Sequence, residues 1–397
     1  MSPPAISLPS AVGTAPARPL GTVQLGKGWF SEESGGLNRY YADLLRELPH
    51  VGVSVRGLVA GSDLVPTLSH GSARAFAPRL AGLPARLRRV RAETKRALLD
   101  QPSSLPVAHF ALYAAPCLDL FRGRPFVVHF HGPWAAESQA EGAGTIAARM
   151  KHALERAVYA RASRLIVLSR AFGDILERYY AVDPARIRVI PGGVDTHRFD
   201  VRLDRAEARR QLGWPVDRRI VLVVRRLVRR MGLENLIASV KDIRASVPDV
   251  LVLIAGSGPL ATELEARCSD AGLGHHVRLL GYLPDEHLPL AYRAAELSVV
   301  PSVALEGFGL IVAESLAAGT PVIVTGVGGL PETLEGFAPQ CVVWGIGPRP
   351  LAGVLVDALR ARIPLPAAEE CKARAQGRFD WSSVAARVRD VYTEVRQ

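Results

Sequence analysis

The chain has 397 residues, 48% of them hydrophobic and 22% charged, which predicts a globular protein of two or three domains. Its four cysteines lie far apart, which argues against a disulfide framework or a structural zinc site and favours a reducing compartment such as the cytoplasm. The net charge of +11 favours phosphorylated ligands, polyanions or an anionic membrane surface as partners, and the lack of any run of 18 apolar residues argues against a transmembrane helix.

Residues 1–20 are rich in Pro, Ser and Ala but have no basic stretch followed by an apolar one, so we expect a disordered leader and not a signal peptide. From Gly21 onward, short apolar runs alternate with amphipathic stretches such as 37–48 and 148–162. The runs predicted as strands are 21–25, 53–60, 105–110, 125–130, 164–169 and 187–191. Strands that alternate with helices of this length indicate βαβ units and a parallel sheet.

The same alternation restarts after residues 192–217, a segment with a Gly-Gly pair and many arginines that we interpret as a linker. The second series of predicted strands is 218–224, 250–256, 276–281, 297–302 and 320–326. The sequence therefore predicts an α/β fold with two successive doubly wound, Rossmann-like parallel-sheet domains.

Two glutamates, Glu306 and Glu314, stand eight residues apart in the otherwise apolar stretch LEGFGLIVAESLAAG (305–319). A buried carboxylate is costly unless it is paired or hydrogen-bonded, so both side chains should have partners. Gly307 and Gly309 precede a predicted helix, where backbone N–H groups and the helix dipole favour an anion. We expect Glu314 to accept ribose hydroxyls and Glu306 to face the other end of the ligand. The alternative is a tight turn with two solvated carboxylates.

Two further glycine clusters follow predicted strands. Gly35 and Gly36 would bring backbone N–H groups to a cleft, although such a pair is often only a turn. Gly256 and Gly258 belong to a G-x-G-x-x-A pattern, which is typical of nicotinamide-binding domains. Because that function requires an acidic residue at the end of the next strand, where the sequence has Gly281 and a tyrosine, we disfavour a dehydrogenase.

Basic and histidine side chains follow other predicted strands. A cluster directly after strand 218–224 suits a diphosphate, with a solvated basic face as the alternative; it consists of Arg225, Arg226, Arg229 and Arg230. His129 and His131 lie on one side of a strand, and His131 at the strand end is a candidate ligand contact, with core packing as the alternative. No third metal ligand lies nearby and no Asp-x-Asp occurs, so we expect no metal site.

The stretch 301–331, with its E-x7-E pair, resembles the donor-site signature of the retaining glycosyltransferases of the GT4 family, which have the GT-B fold. The resemblance covers nearly the whole chain after the leader and also rests on residues 34–48, 191–199, 254–259, 281–288 and 379–392. It implies an acceptor domain at 21–195 and a nucleotide-sugar donor domain at 196–376 that face each other across a cleft. It also implies that a C-terminal helix at 377–397 crosses back to the first domain.

The resemblance further implies roles for individual residues. Glu306 and His131, the residues assigned to catalysis, would contact the donor sugar, and Glu314 would hold the ribose. The other donor-binding residues would be Gly35, Gly36, Arg226, Arg230, Gly256, Gly258, Gly307, Phe308, Gly309 and Leu310. Members of the family need no metal and no further cofactor beside a nucleotide-sugar, UDP- or GDP-linked. The chain departs from the family at Met231, where a lysine is usual, so Arg230 or Arg225 would have to supply that charge.

The predicted function is metal-independent transfer of a hexose, with retention, to a glycan, lipid-linked or small-molecule acceptor, as in polysaccharide biosynthesis for the cell envelope. Two alternatives stay open: a sugar-nucleotide epimerase on the same fold, and a non-catalytic nucleotide-sugar-binding protein, which Met231 would favour.

We expect no nucleic-acid partner, because the basic segments have few interleaved aromatic residues. The basic segment 83–98 is predicted to form a helix that either lies peripherally on the inner face of an anionic membrane or packs on the sheet as an ordinary surface helix.

Overall fold

The computed structural model describes residues 20–397, so all but the last residue of the predicted leader lies outside the described part of the chain. The strands of the N-terminal half are β1 (Leu20–Gly28), β2 (Val53–Ala60), β3 (Ala73–Ala77), β4 (Leu105–Ala108), β5 (Val127–Phe130), β6 (Arg164–Val167) and β7 (Ile187–Val189). Its helices are α1 (Gly36–Glu47), α2 (Val65–Leu68), α3 (Leu83–Asp100), α4 (Ala111–Ala114), α5 (Trp134–Ala140), α6 (Thr145–Arg161) and α7 (Arg170–Tyr180).

The C-terminal half repeats this alternation. Its strands are β8 (Arg219–Val224), β9 (Val250–Ala255), β10 (Val277–Gly281), β11 (Leu297–Val300), β12 (Val322–Thr325) and β13 (Val342–Val343). The remaining helices are α8 (Thr196–Phe199), α9 (Arg205–Leu212), α10 (Leu233–Ser246), α11 (Ala261–Asp270), α12 (Leu288–Ala294), α13 (Leu310–Ala317), α14 (Leu330–Leu334), α15 (Pro348–Leu359), α16 (Ala368–Phe379) and α17 (Trp381–Glu394).

The strands form two separate parallel sheets. Their orders are β3-β2-β1-β4-β5-β6-β7 and β10-β9-β8-β11-β12-β13. In each sheet the order reverses at one place, between β1 and β4 or between β8 and β11, and ligands of such sheets bind beyond the carboxyl ends of the strands there. Interior strands such as β9 and β11 are buried along their whole length, because helices cover both faces. The predicted fold class is confirmed.

Each strand predicted from the sequence is present, with ends that differ by a few residues. Two strands were missed. β3 reads ARAFA, where an arginine interrupts the apolar pattern, and β13 has only two residues. The prediction of a linker at 192–217 was incomplete, because α8 and α9 lie within it, and α9 begins with a capping box in which Asp204 and Glu207 bond each other's backbone N–H.

The last helix, α17, packs on the first sheet. Val384 and Val388 lie in one apolar cluster with Tyr40 of α1 and buried strand residues. A side chain at Gly193 would collide with the indole of Trp381, so glycine is required where the chain passes under the start of α17. At the other end, Glu394 pairs with Arg164 and Arg188 of β6 and β7.

The apolar side of the basic helix α3 faces the protein and is not free to face a membrane. Its apolar stripe, which includes Val90, Thr94 and Leu98, is buried against the sheet. That stripe therefore cannot contact a membrane, and the helix packs on the sheet as a surface helix does. Between residues 20 and 397, no helix has the length and apolar character needed to cross a membrane.

Candidate active site

A cavity of about 440 Å³ lies between the two sheets, at the carboxyl ends of their strands. From the N-terminal half it is lined by residues that include Lys27, Gly35, Gly36, His109, His129, His131, Glu137 and Glu141. From the C-terminal half it is lined by Arg225, Arg226, Arg230, Met231 and residues 305–311. Most of the predicted site residues therefore meet in one place, although they come from distant parts of the sequence.

The donor loop, which we define as residues 305–309, leads from β11 into α13. Gly309 precedes the helix with φ of 77°, a left-handed conformation that favours glycine. Because α13 begins at the cavity, its first N–H groups and the positive end of its dipole provide an anion site. The loop also reaches the other half: a Cβ atom on Gly307 would collide with Phe172 of α7, and one on Gly36 would lie 4.0 Å from Leu310.

Glu306 is an ionised carboxylate on the wall of the cavity. Its Oε2 accepts hydrogen bonds from Ser302 Oγ at 3.0 Å and from the guanidinium of Arg225. Burial by itself would raise the pKa of Glu306, but Arg225, Arg230 and Ser302 lower it below the usual value. Glu306 can therefore accept hydrogen bonds from sugar hydroxyls but is poorly suited to donate a proton.

Arg225 fills the space beside Met231. Its Nη2 atom lies 2.6 Å from the Met231 sulfur and 2.5 Å from Ser302 Oγ, and only a small part of its side chain is exposed. Its Nε–H is buried and has no acceptor among residues 20–397. Thus a guanidinium stands next to the position where the family usually has a lysine.

Two further arginines line the cavity. Arg226 makes no ion pair with the other described residues, and its enclosure in the cleft, with the neighbouring Arg230, lowers its pKa. Arg230 lies 3.6 Å from Glu137, in the first turn of α5 in the other half, and 3.5 Å from Glu141, directly after that helix. The uncompensated charge of Arg226 makes this wall attractive to an anion.

Glu314 is in a different position from the one expected. It does not line the cavity. Its carboxylate is buried, accepts a hydrogen bond from Tyr292 Oη at 3.1 Å and lies 3.6 Å from Arg39 Nε. Arg39 belongs to α1 of the other half and also pairs with Asp285. Glu314 thus holds the two halves together here, and its role in binding ribose stays a prediction.

The glycines of the nicotinamide-like pattern also lie outside the cavity lining. Gly256 has φ of 145°, and a Cβ atom on it would lie 1.8 Å from the carbonyl oxygen of Arg225. Gly258 similarly abuts the backbone of Leu227. These glycines let β9 end against the loop after β8 and so shape the segment that carries the arginines; direct donor contacts by them stay a prediction.

Three histidines stack beside the cavity. His129 and His131 lie on one side of β5, as the period-two rule predicts, and His109 at the end of β4 stacks on both with ring centroids 4.3 and 5.4 Å away. Burial lowers the pKa of His131 to about 3, and burial with the neighbouring rings lowers those of His109 and His129 well below the usual value. All three rings are therefore neutral near pH 7.

Sequence reasoning missed several of these residues. His109 had a usable signal, since it lies close to the end of a predicted strand as His131 does, whereas Glu137, Glu141 and Arg39 had none. Among residues 20–397, no group of three or more histidine, cysteine or acidic side chains is arranged to hold a metal ion.

Two parallel-sheet domains with a cleft between them at the carboxyl ends of their strands are typical of the GT-B architecture. Sucrose-phosphate synthase from Thermosynechococcus elongatus superimposes with a TM-score of 0.77 and 25% identity over 95% of this chain and 99% of that one. Anabaena HepE in complex with UDP and glucose has a TM-score of 0.76 and 20% identity over 94% of this chain and 100% of that one.

Sequence comparison gives the family. Residues 34–198 match the model "Glycosyltransferase Family 4" and residues 204–343 match "Glycosyl transferases group 1". D-inositol 3-phosphate glycosyltransferase of Corynebacterium kroppenstedtii is 33% identical over 60% of this chain and 55% of its own length. The enzyme of that name from Acidothermus cellulolyticus is 29% identical over 91% of this chain and 86% of its own.

The chain spans about half the length of the first curated relatives it matches. Because the two family matches together extend from the first helix to the last strand of the second sheet, the chain belongs to the GT4 family of glycosyltransferases.

Proposed function

We propose that this chain is a metal-independent, retaining glycosyltransferase that moves a hexose from a nucleotide-sugar to a hydroxyl-bearing acceptor. The proposal rests on one observation: groups suited to bind an anion and polar side chains that could contact a sugar line the same cleft. The first helical turn of α13 and Arg226, which has no ion pair among residues 20–397, would bind a diphosphate, and Glu306 and His131 lie on opposite sides of the same cavity.

The donor is a nucleotide-sugar with a UDP or GDP carrier. A diphosphate would take its hydrogen bonds from the donor loop and α13 and its counter-charge from Arg226. HepE, whose structure was solved with UDP and glucose, has the same fold, and this likeness supports the uridine form as the first to test.

Although Met231 is uncharged, a positive charge is still present next to it. Arg225 places its guanidinium against the methionine sulfur, next to the family's lysine position, and it lines the cavity. In the proposed complex Arg225 would bridge Glu306 and the diphosphate. This arrangement favours an active enzyme over a protein that only binds the nucleotide.

The chemistry follows from what the cleft offers. Glu306 is held ionised by Arg225 and is poorly suited to donate a proton, and the cavity histidines are neutral. The proposed reaction is front-face attack, in which the leaving diphosphate accepts the proton of the attacking hydroxyl while the cationic wall stabilises the charge that develops on it. The acceptor oxygen then bonds to the anomeric carbon on the face that the diphosphate leaves, so that configuration is retained.

The acceptor would enter from the N-terminal half, past Lys27 and the Gly35–Gly36 turn. Relatives named for D-inositol 3-phosphate make a polyol phosphate the first small acceptor to test, beside glycans and lipid-linked sugars.

For a lipid-linked acceptor, peripheral membrane contact would use the outer face of α3, where Arg88, Arg89, Lys95 and Arg96 are exposed without ion pairs to other described residues. Flotation with anionic liposomes at low salt tests this contact, and an absence of binding would rule it out.

A melting-temperature panel tests the donor. The wild type and Glu314→Ala are heated with UDP, GDP, ADP and their common sugar conjugates, in EDTA. Selective stabilisation of the wild type by one nucleotide, reduced in the variant, would support both the cleft and the ribose role of Glu314. Stabilisation that is equal in both proteins would remove that role. Stabilisation without turnover on any acceptor would favour the binding-protein alternative, and sugar isomerisation without transfer would favour an epimerase.

A further inference from the structure

The orientation of His131 can be traced through a chain of hydrogen bonds that ends on the protein backbone. Thr22 Oγ1 lies 3.0 Å from the carbonyl oxygen of Ser54, which can only accept, so the threonine hydroxyl must donate to it. With its proton used there, Thr22 Oγ1 is left to accept a hydrogen bond from the amide of Gln24, 3.2 Å away. The amide of Gln24 therefore turns its Nε2 towards Thr22 and its Oε1 away from it.

The same logic passes through His109 to the cavity. Gln24 Oε1 lies 2.9 Å from His109 Nε2, so that nitrogen must carry a proton. Because the ring is neutral, His109 Nδ1 is then an acceptor. It lies 3.2 Å from His131 Nε2, which must therefore donate. His131 Nδ1 remains as an unprotonated acceptor, with no hydrogen-bond partner among residues 20–397, on a ring that lines the cavity.

We infer that Thr22, Gln24 and His109 form a relay that fixes His131 as the Nε2–H tautomer, so that its Nδ1 accepts a hydrogen bond from a hydroxyl of the transferred sugar. The ligand in this statement rests on the proposed function, whereas the tautomer does not. The three relay residues are positioning residues: they act on the substrate only through His131.

The relay selects the chemical class of the donor sugar. A neutral hydroxyl can donate a hydrogen bond to Nδ1. An ionised carboxylate, as in a uronic acid, can only accept hydrogen bonds and therefore cannot pair with the acceptor Nδ1. His131 is also unable to adapt by taking up a proton near neutral pH, because burial keeps its pKa at about 3. A site built to pair with a hydroxyl rejects analogues that lack it, since its buried polar group is then left unpaired. If the hydroxyl at Nδ1 is the one on C6, which a uronate replaces by a carboxylate, a neutral hexose should be preferred over the corresponding uronate.

Two-bond ¹H–¹⁵N spectra of the full chain, labelled with ¹⁵N-histidine, test the relay directly. His131 and His109, assigned from the signals lost in His131→Asn and His109→Asn, should each show a protonated Nε2 and an unprotonated Nδ1 without any ligand. A protonated Nδ1 on His131, or an imidazolium, would overturn the relay.

Variants at Thr22 then test its anchor. Gln24 Nε2 has two acceptors, Thr22 Oγ1 at 3.2 Å and Tyr392 Oη at 3.4 Å, and Thr22→Val removes the nearer one. His131 should then show a mixture of tautomers, and the KM for the donor should rise by about three- to tenfold, the effect of one lost hydrogen bond. Thr22→Ser retains the hydroxyl and should restore the single tautomer and the KM. A single unchanged tautomer in Thr22→Val would overturn the anchoring role. If the tautomers are as expected and no nucleotide-sugar binds, the proposed function fails and the relay stands.

Discussion

Acid should destabilise this protein through its three stacked histidines. The unfolded-state pKa of a histidine is about 6.5, whereas burial holds that of His131 in the folded protein at about 3 and those of His109 and His129 well below the usual value. Below pH 6.5 the unfolded chain thus binds protons that the folded protein does not. The contribution of these histidines to the free energy of unfolding is therefore fully present above pH 6.5. It is lost as the pH is lowered from 6.5 towards the folded-state pKa values.

The magnitude follows from linkage. Between pH 7.5 and pH 5.5, each such histidine should remove about 1.3 kcal/mol from the free energy of unfolding. Asp43 acts in the opposite direction, because burial raises its pKa to about 6 and protonation then favours the folded state. A variant is therefore needed to isolate the histidine contribution.

His129→Gln removes one of the three groups and can still form a hydrogen bond to Tyr392, whose hydroxyl lies 2.7 Å from His129 Nε2. Melting temperatures are measured at pH 7.5 and 5.5, with the exposed His50→Gln as a control. The drop between the two pH values should be about 3–5 °C smaller in His129→Gln than in the wild type, and unchanged in His50→Gln. Equal drops in all three proteins would refute the reasoning, since they would mean that His129 titrates normally.

Two predictions concern the cationic wall. Arg226→Met should weaken binding of the nucleotide-sugar by about 10- to 100-fold in calorimetric titration, as expected for a lost charge-assisted hydrogen bond. In the control Arg229→Met, at an exposed neighbour, the affinity should stay within about twofold of the wild type. Equal effects of the two substitutions would contradict a specific phosphate contact. Arg225→Met should lower the free energy of unfolding by about 3 kcal/mol in urea titration, because it leaves Glu306 buried and unpaired. Adding Glu306→Gln should recover most of that loss, and a double variant as unstable as Arg225→Met would show that the ion pair is not the cause.

The fold was predictable because its determinants are local. Strands buried on both faces are continuous apolar runs, such as VLVLIA in β9, and glycines mark the loops that follow them. The donor loop could be predicted as a candidate site for the same reason, since Glu306, Gly307 and Gly309 lie within four residues of one another shortly after a recognisable strand.

The rest of the site depends on contacts between distant segments. Glu314 has the spacing of a ligand-binding residue, but its observed partner, Arg39, comes from the other half, and no periodicity in the sequence connects them. His109 meets His131 only because β4 and β5 are neighbours in the sheet, which follows from strand order and not from either segment. Likewise, the sequence shows that Met231 lacks a charge but not that Arg225 folds against it.

Turnover without metal tests the proposed function most directly. The sugar nucleotide selected by the melting panel is incubated in EDTA with a set of polyol phosphate, glycan and lipid-linked acceptors, and the release of nucleoside diphosphate is followed for the wild type and Glu306→Gln. We expect the wild type to release the diphosphate, Glu306→Gln to be severely slowed, and proton NMR of the product to show the same anomeric configuration as the donor. A requirement for a divalent cation, full activity of Glu306→Gln, or a product of inverted configuration would contradict the mechanism proposed for this cleft.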